Sequence, residues 1–330
     1  MAVKLFPQDT GIQPGLSEGL AGVAFANYCD GVAVGRDGAV ITTSDGGVSW
    51  IPQNSGFKGR FRDVAFVDAS RMVAVGDEST ILISDDKGHS WSSPRPIPSF
   101  PNSTNFLLLG VGFKDQIGYA VGTTAEGIQR ALVLTTNDSG DTWSPQIVLP
   151  ESATWIADVA FSVIDGVTYV VGVGQGTTGV IGLIIRTEIG ATNWSIPQIL
   201  PSPTTEPLYG VDFAKTPNEH HGWAVGRSGT IAHTTDGGQT WALQTSGIPN
   251  VHLLRVAAID DKRAWAVGYD GVLITTSDGG ENWMQHDTGL GYPLTDLVFC
   301  RPCLGTIVGA PPTVFKVFEQ VSCNSFEIVE

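Results

Sequence analysis

Short apolar segments and glycine-rich turns alternate along the chain, and three signatures recur in a fixed order. The first is an apolar strand, as in Gly22-Val23-Ala24-Phe25. The second lies about ten residues further on and ends in Val-Gly, first at Gly35. The third is a hairpin of the form Ser/Thr-x-Asp-x-Gly-x-x-Trp, first found from Thr43 to Trp50. Short strands with glycine turns between them predict antiparallel sheets rather than helices.

The repeat occurs seven times, because the Val-Gly signature has seven copies separated by 41, 46, 50, 54, 42 and 41 residues. Its glycines are Gly35, Gly76, Gly122, Gly172, Gly226, Gly268 and Gly309. The hairpin has five good copies, whose Asp and Trp residues are Asp45 and Trp50, Asp86 and Trp91, Asp138 and Trp143, Asp236 and Trp241, and Asp278 and Trp283. The fourth repeat keeps Trp194 but has Ile189 and Ala191 where Asp and Gly are expected, and the seventh repeat lacks the hairpin.

This periodicity predicts an all-β fold, a seven-bladed β-propeller of four-stranded antiparallel blades. One such sheet cannot cover both of its faces, whereas sheets packed radially around an axis bury one another and leave few edges. We expect a single domain over residues 1–330. The predicted blades cover approximately residues 20–56, 61–96, 108–149, 156–200, 208–247, 253–289, and 295–319 together with 3–11.

The two ends of the chain are predicted to close the ring. Residues 5–11 align with residues 283–289, so they have the sequence of an outer fourth strand without the three strands that should precede it. The seventh repeat supplies those three strands. Residues 325–329 are a rival outer strand, but we prefer pairing of the N-terminal segment with the last repeat.

The hairpin residues are predicted to be structural rather than catalytic. An Asp at a tight turn accepts backbone N–H groups a few residues ahead, and the Ser or Thr hydroxyl assists it. The Trp then packs its large face between neighbouring blades. Near-identical devices at equivalent positions serve a scaffold, whereas an active site breaks the symmetry. The same role is expected for Trp194 of the divergent copy.

The wording of the fifth repeat carries a family resemblance, best seen in residues 223–231 followed by residues 234–241. Over nearly its whole length the chain resembles the Asp-box (BNR-repeat) propellers. Among them it is most similar to the photosystem II assembly and stability factors and their bacterial relatives. The resemblance implies a non-enzymatic protein that binds a folding or assembling partner protein.

Charge and hydropathy narrow the classes of ligand. Charged residues make up 15% of the chain and the net charge is −15, which repels nucleic-acid phosphates and anionic lipids. No apolar run reaches the length of a membrane helix. Neighbouring His220 and His221 point oppositely on an extended chain, so we expect neither a metal site nor a cofactor.

The four cysteines are predicted to gather where the ring closes. Cys29 and Cys303 occupy equivalent turns of the first and last blades, and Cys300 and Cys323 lie in the last blade. One or two disulfides across this seam imply an oxidising compartment, hence an extracytoplasmic or secreted protein whose leader is absent from the numbered chain. Four free thiols, or a zinc site that includes Cys300-x-x-Cys303, are the alternatives.

The arginines and carboxylates of the turns bear on two enzymatic alternatives, a sialidase and a glycosidase. A sialidase needs three arginines around the substrate carboxylate, but only Arg36 and Arg227 occupy matching positions. Glycosidases with Asp-box blades use two carboxylates across a cleft between two propellers, and one propeller offers no such cleft. The sequence therefore favours a non-enzyme, with a carbohydrate-binding propeller or a glycoside hydrolase of the Asp-box type as the alternative.

The candidate binding surface is the propeller face opposite the Asp-box hairpins. There the turns after Val-Gly and the links between blades vary from repeat to repeat, which favours a protein partner over a carbohydrate, and we expect a monomer. The candidate partner or ligand residues are Arg36, Phe57, Arg60, Arg62, Trp155, Tyr209, Arg227, Tyr269 and Tyr292.

Overall fold

The computed structural model describes residues 3–8, 10, 19–98, 103, 105–126, 129–146, 153–176, 182–191, 204–215 and 219–319. Nearly all regular structure in them is β-strand. In chain order the strands are β1 (Val3–Gln8), β2 (Leu20–Phe25), β3 (Gly31–Gly35), β4 (Ala39–Thr43), β5 (Ile51–Asn54), β6 (Phe61–Phe66), β7 (Met72–Gly76), β8 (Ile81–Ser84), β9 (Phe106–Lys114), β10 (Ile117–Thr124), β11 (Ala131–Thr136), β12 (Ser144–Gln146), β13 (Ala153–Ile164), β14 (Val167–Gly176), β15 (Gly182–Glu188), β16 (Leu208–Phe213), β17 (Gly222–Gly226), β18 (Ile231–Thr234), β19 (Ala242–Gln244), β20 (Leu253–Ala258), β21 (Ala264–Gly268), β22 (Leu273–Thr276), β23 (Met284–His286), β24 (Leu294–Arg301), β25 (Leu304–Gly309) and β26 (Thr313–Glu319).

The strands form seven antiparallel sheets, numbered here as blades in chain order from the first inner strand. Blade 1 comprises β2 to β5, blade 2 β6 to β8, blade 3 β9 to β12, blade 4 β13 to β15, blade 5 β16 to β19, blade 6 β20 to β23, and blade 7 β24 to β26 with β1. The first strand of each blade lies against the first strand of the next, and β24 returns to β2. The predicted seven-bladed propeller is confirmed.

Two blades have three strands within the described residues rather than four. In blade 2 the backbone N–H groups of Ser92 and Arg95 still donate to the carbonyl oxygens of Ile83 and Ile81, at 2.8 and 2.9 Å. This segment therefore follows the edge of β8 without forming a strand. In blade 4 the fourth strand was predicted around Trp194, which lies outside the described residues.

The ring closes in two layers. At the outer edge β1 pairs with β26, from Val3 opposite Glu319 to Gln8 opposite Val314, so the first residues complete the last blade as predicted. Near the axis the Val23 N–H donates to Asp296 Oδ2 at 2.8 Å. Residues 325–329, the rival outer strand, lie outside the described residues.

The hydrophobic core lies between the blades. The second strand of a blade, as in β3, β7, β17 and β21, is buried at every position because sheets cover both of its faces. One cluster joins Val73 and Ile83 of blade 2 to Phe106 and Leu108 of blade 3. Each fully buried aliphatic or aromatic side chain contributes about 1.5–3 kcal/mol relative to exposure.

The Asp-box hairpin of blade 1 is held by its own side chains. Asp45 Oδ1 accepts the Thr43 hydroxyl and the Ser49 N–H at 2.8 and 3.0 Å, and Thr43 Oγ1 accepts the Gly47 N–H at 2.9 Å. Gly47 has φ 84°, a left-handed conformation that suits glycine. Partial burial alone would raise the pKa of Asp45, but hydrogen bonds from Ser49 and Thr43 lower it below its ordinary value. The boxes at Asp86, Asp138, Asp236 and Asp278 repeat this arrangement.

The cysteine prediction is wrong at the seam. Cys29 and Cys300 carry free thiols, so neither takes part in a disulfide between the first and last blades. Cys29 is exposed on a hairpin turn, while burial raises the pKa of the Cys300 thiol. Cys303 is disulfide-bonded, and Cys323 lies outside the described residues. Hydrogen bonds and the β1–β26 ladder hold the seam instead.

Three one-turn 3₁₀ segments follow Val-Gly signatures, at Arg36–Gly38, Arg227–Gly229 and Tyr269–Gly271. Each contains a residue in the left-handed region, as at Asp37 with φ 55° and Ser228 with φ 56°. These turns begin with three of the predicted binding residues and project them from the same face. No helix in the described part of the chain is both long and apolar enough to cross a membrane.

Candidate functional site

The two faces of the propeller carry different structures. On the lower face the Asp-box turns lie beside the hairpins between the first two strands. There the Gly46 N–H donates to the Cys29 carbonyl at 2.8 Å, and the Gly237 N–H to the His220 carbonyl at 2.7 Å. The upper face carries the turns after Val-Gly and the links between blades. It is the face on which the sequence placed the binding surface.

A cavity of about 610 Å³, here called the mouth, opens on the upper face around the axis. Six of the nine predicted binding residues line it together: Arg36, Arg60, Arg62, Trp155, Tyr209 and Tyr269. Two further lining residues, His252 and Arg255, were not predicted. No Asp or Glu is among the described residues that line the mouth, although the chain carries a net charge of −15. The side chains of the lining that carry a full charge at neutral pH are therefore all arginines, on an anionic protein.

Arginines occupy the side of the mouth formed by blades 1 and 2. Arg36 begins the turn after β3, and its N–H donates to the Gly19 carbonyl at 3.3 Å. Arg60 directly precedes β6, where its carbonyl accepts the Asp77 N–H at 3.0 Å. Arg62 Nε and Nη2 donate to the two carboxylate oxygens of Asp77, at 2.6 and 3.1 Å. This bidentate pair fixes Arg62 and offsets part of its charge.

Aromatic rings occupy the opposite side, in blades 4 to 6. Trp155 and Tyr209 stack almost in parallel, with centroids 5.7 Å apart and planes 9° apart. His252 lies 6.3 Å from the ring of Tyr209 and 5.7 Å from that of Tyr269. These four rings form a continuous arc, here called the aromatic arc, along the wall of the mouth. Each ring of the arc packs against the next one.

His252 links the arc to the backbone of the next turn. The Ser228 N–H donates to His252 Nδ1 at 3.2 Å, and the Tyr269 N–H donates to the His252 carbonyl at 3.0 Å. Sequence reasoning missed this residue because it lies in a link between blades, outside all three signatures. Its position directly before β20, equivalent to Arg60 before β6, is the signal that could have found it.

Below the mouth, small and large residues alternate around the axis. The residue that opens the first signature is Gly in blades 1, 3 and 5 and Asp in blades 2, 4 and 7, with Arg255 in blade 6. A Cβ on Gly22 would lie 3.0 Å from Cα of Asp63, and one on Gly110 would lie 3.1 Å from Cα of Asp158. A side chain at Gly22 or Gly110 would therefore crowd the backbone of the inner strand of the next blade.

Each of these Asp residues accepts hydrogen bonds from two backbone N–H groups, an arrangement here called a clasp. Asp63 Oδ1 accepts the Val64 N–H of its own strand at 2.8 Å, and Oδ2 accepts the Val111 N–H of the next blade at 2.9 Å. Asp158 bonds Val159 and Val211 at 2.9 and 3.0 Å in the same way. Three junctions between blades are fastened by these clasps, the third being the seam at Asp296.

Arg255 lies among the clasps and is shared between the mouth and a second cavity below it. Its Nε is 3.8 Å from Asp296 Oδ1 and 4.0 Å from Asp158 Oδ2, and Nη1 donates to the Tyr209 carbonyl at 2.9 Å. Burial raises the pKa of Asp63 to about 8 and that of Asp296 to about 6, against the opposing effect of Arg255. The guanidinium is thus the charge that keeps part of this acidic ring ionised.

The remaining predicted residues lie away from the mouth lining. Phe57 packs on Phe61 in the core between blades 1 and 2, with centroids 4.9 Å apart. Arg227 Nε is 3.7 Å from Glu206 Oε2 at the rim beside Tyr209. Tyr292 is partly buried and is not part of the lining.

The adjacent histidines belong to a small cluster on blade 5. His221 lies 4.8 Å from His220 and 5.8 Å from His233, which stacks on Trp223 at 4.6 Å. Burial lowers the pKa of His233 to about 4, and the charge of His221 adds to this effect. Among the described residues no group of three or more His, Cys, Asp or Glu side chains has a geometry that could hold a metal ion.

Seven radial blades with Asp-box turns on one face define the class of Asp-box, or BNR-repeat, β-propellers. A family model described as photosynthesis system II assembly factor YCF48 matches residues 53–196 and 186–293, which together exceed half of the chain. The chain belongs to this family, and the resemblance seen in the sequence is confirmed.

The chain is also similar to one curated relative and to solved propeller structures. The chloroplastic photosystem II stability/assembly factor HCF136 of Cyanidioschyzon merolae is 49% identical over 43 residues, which are 13% of this chain and 9% of that relative. A solved structure of YCF48 bound to D1 peptide has a TM-score of 0.68 at 20% identity, covering 96% of this chain and 97% of that one. A virginiamycin B lyase from Staphylococcus aureus has a TM-score of 0.75 at 12% identity, covering 96% and 100%. At such identities, each of these two structures shows only that it shares its fold with this chain.

The predicted extracytoplasmic or secreted location is wrong. It rested on disulfides across the seam, and Cys29 and Cys300 are free thiols. The family is one of photosystem II assembly factors, and the curated relative is chloroplastic rather than secreted. Cysteine count was a poor guide because only geometry decides which thiols can pair.

Proposed function

We propose that this protein is a non-catalytic assembly factor whose mouth binds an acidic segment of a partner protein. The observation that carries the proposal is the lining of the mouth, which has four arginines and no carboxylate in a chain of net charge −15. Family membership and the YCF48 structure solved with D1 peptide support a polypeptide ligand. The predictions of one domain over residues 1–330 and of a monomer stay predictions.

The two sides of the mouth suit two properties of such a segment. Arg36 and Arg60 present guanidinium groups, which bind carboxylates with paired hydrogen bonds. Trp155 and Tyr209 offer rigid apolar faces that lose little conformational entropy on binding. An extended segment that carries carboxylates on one side and apolar side chains on the other fits this arrangement.

A non-catalytic role is supported by the state of the axial carboxylates. Asp63, Asp158 and Asp296 are buried, and both oxygens of each accept backbone N–H groups. A glycosidase needs two carboxyl groups free to reach a sugar on opposite sides of one bond. The axial carboxylates serve to join blades, so we expect no hydrolytic activity. Carbohydrate binding is the second candidate, favoured by the parallel Trp155–Tyr209 stack.

The test is peptide binding with a charge-reversal variant. Fluorescence anisotropy with a labelled acidic peptide should show that Arg36→Glu weakens binding about tenfold, or ~1.4 kcal/mol, because an attractive charge becomes a repulsive one. Lys215→Glu is the matched control, since it reverses one exposed charge on the lower face. The interaction should also weaken as salt increases.

Three outcomes would contradict the proposal. Equal affinities of the Arg36→Glu and Lys215→Glu proteins would move the ligand away from the mouth. Binding of neutral oligosaccharides on a glycan array, without peptide binding, would favour the carbohydrate reading. Turnover in a glycoside hydrolysis screen, lost on substitution of a mouth residue, would establish an enzyme.

A further inference from the structure

The hydrogen bond to His252 fixes the protonation state of that ring. The Ser228 N–H donates to Nδ1 at 3.2 Å, so Nδ1 acts as an acceptor and carries no proton. The neutral imidazole therefore has its proton on Nε2. A protonated ring has N–H groups at both nitrogens and must give up this bond. The structure as described holds the uncharged form of His252.

Two tyrosine rings and several charged groups surround His252. The ring of Tyr209 is tilted by 46° to the imidazole at 6.3 Å between centroids, and the ring of Tyr269 meets it at 80° and 5.7 Å. The titratable and charged groups around it come from β16, β20, the two 3₁₀ turns and the link before β16. They are Tyr209, Arg255, Arg227, Tyr269 and Glu206.

Charge balance in this region decides what protonation does to binding. Arg227 is offset by Glu206, at 3.7 Å, and Arg255 by the carboxylates of Asp158 and Asp296 below it. An imidazolium at His252 adds a positive charge to the aromatic side of the mouth. A carboxylate in the mouth stabilises that charge.

We propose that protonation of His252 tightens the binding of an acidic partner segment, so that the mouth releases its ligand as pH rises. This inference rests on the proposed function, because it needs an anionic ligand in the mouth. Histidine is the side chain that most often changes charge near neutral pH, so binding is compared at pH 5.5 and at pH 8. Linkage gives the sign: if the protonated form binds the segment more tightly, the bound complex takes up protons.

The decisive experiment compares wild type with His252→Gln, whose amide stays neutral while keeping an acceptor for the Ser228 N–H. The dissociation constant of an acidic peptide without histidine is measured at pH 5.5 and at pH 8. The ratio of the two proteins' dissociation constants should shift roughly fivefold in favour of wild type at the lower pH. Titration of Asp296 affects both proteins alike and cancels from this ratio. A ratio that stays constant overturns the proposal.

His252→Phe provides a second variant that keeps a ring in the arc but cannot titrate. It should show the same pH dependence of peptide binding as His252→Gln, whereas the wild-type pH dependence in either variant counts against the proposal.

A spectroscopic measurement on the free protein separates the two claims. The Ser228 amide resonance should move between pH 8 and 5.5, because protonation of Nδ1 removes the acceptor of its hydrogen bond. Saturation with the peptide should move this titration to higher pH. A pH-insensitive Ser228 amide overturns the switch even where the peptide binds. Absence of peptide binding at every pH overturns the proposed function, whatever the amide shows.

Discussion

At the scale of single residues, Gln244 joins blades 5 and 6. Its Oε1 accepts the indole N–H groups of Trp223 and Trp283, both at 3.2 Å, and its Nε2 donates to the Gly279 carbonyl at 2.7 Å. In blades 2, 3 and 5 the Asp-box Trp donates to a nearby glycine carbonyl, as Trp91 does. One amide thus replaces a contact that the repeat normally makes within a hairpin.

A neighbouring substitution explains this exception. The residues equivalent to Gln244 are Gln53 and Gln146, and their amides donate to Thr42 and Thr135, at 2.9 and 3.3 Å. In blade 5 the position of that threonine is taken by His233, which stacks on Trp223 instead. The glutamine amide is then released to reach the next blade.

We expect Gln244→Leu to lower the free energy of unfolding by about 2–4 kcal/mol, because it leaves two largely buried indole N–H groups and a carbonyl unpaired. Gln53→Leu removes one partly exposed hydrogen bond in blade 1 and should cost about 1 kcal/mol or less. Urea unfolding of both variants measures the difference. Equal losses would show that the contacts across blades 5 and 6 contribute nothing special.

Sequence alone reaches some residues and not others. The Asp-box partners could be anticipated because the Thr, Asp, Gly and Ser of one hairpin contact each other locally. Gln244 and His252 could not, because their partners belong to other blades and depend on which turns the ring brings together. Cys29 and Cys303 failed for the opposite reason, since equivalent turns of adjacent blades need not face each other.

At the scale of elements, β1 has a two-sided character that its sequence already shows. Val3 and Leu5 pack against the core cluster of blades 6 and 7, while Lys4 and Phe6 are exposed. The Phe6 ring also meets Phe318 edge to face at 5.5 Å. Alternation of this kind fixes the register in which the strand joins β26.

Leu5→Ala should destabilise the protein by about 1–2 kcal/mol, since a half-buried side chain on the core face is lost. Lys4→Ala, one position away on the exposed face, should change stability by less than about 0.5 kcal/mol. Thermal or urea unfolding provides the comparison. Similar midpoints for the two variants would mean that β1 adds little to the closure of the ring.

Blade 2 shows where element prediction from the repeat reached its limit. The repeat predicts a fourth strand after Trp91, but Pro94, Pro96 and Pro98 stand there at alternate positions. Proline has no N–H to donate to a sheet ladder, so only isolated bonds such as that from Arg95 form. The proline pattern was visible in the sequence, and the strength of the repeat outweighed it.

At the scale of the whole molecule, the ring of axial carboxylates makes stability depend on pH. Burial raises the pKa of Asp63 to about 8, so near neutral pH the folded protein holds a proton that the unfolded chain has released. The free energy of unfolding should therefore fall as pH rises toward 8, by up to about 1.4 kcal/mol per pH unit. The direction is opposite to that of an ion-paired carboxylate.

Asp63→Asn should remove the slope between pH 7 and 8, measured by urea unfolding at both values. Asp45→Asn is the control, because its Asp-box carboxyl has a lowered pKa and is ionised in both states in this interval. That variant should keep the wild-type slope while losing stability. Persistence of the slope in Asp63→Asn would show that another group carries the proton.

The odd number of blades affects the alternation of small and large residues around the axis. Small and large residues can alternate strictly around an even number of blades, but with seven blades two neighbours of the same kind must meet. Here the two are the large residues Arg255 and Asp296 of blades 6 and 7. Because Arg255 and Asp296 carry opposite charges, their contact is attractive. An eight-bladed propeller with the same alternation would have no such break in the pattern, and no direction around its axis would differ from the others. An odd number of blades thus marks one direction around the axis of an otherwise repetitive ring, and an incoming chain can be oriented along it.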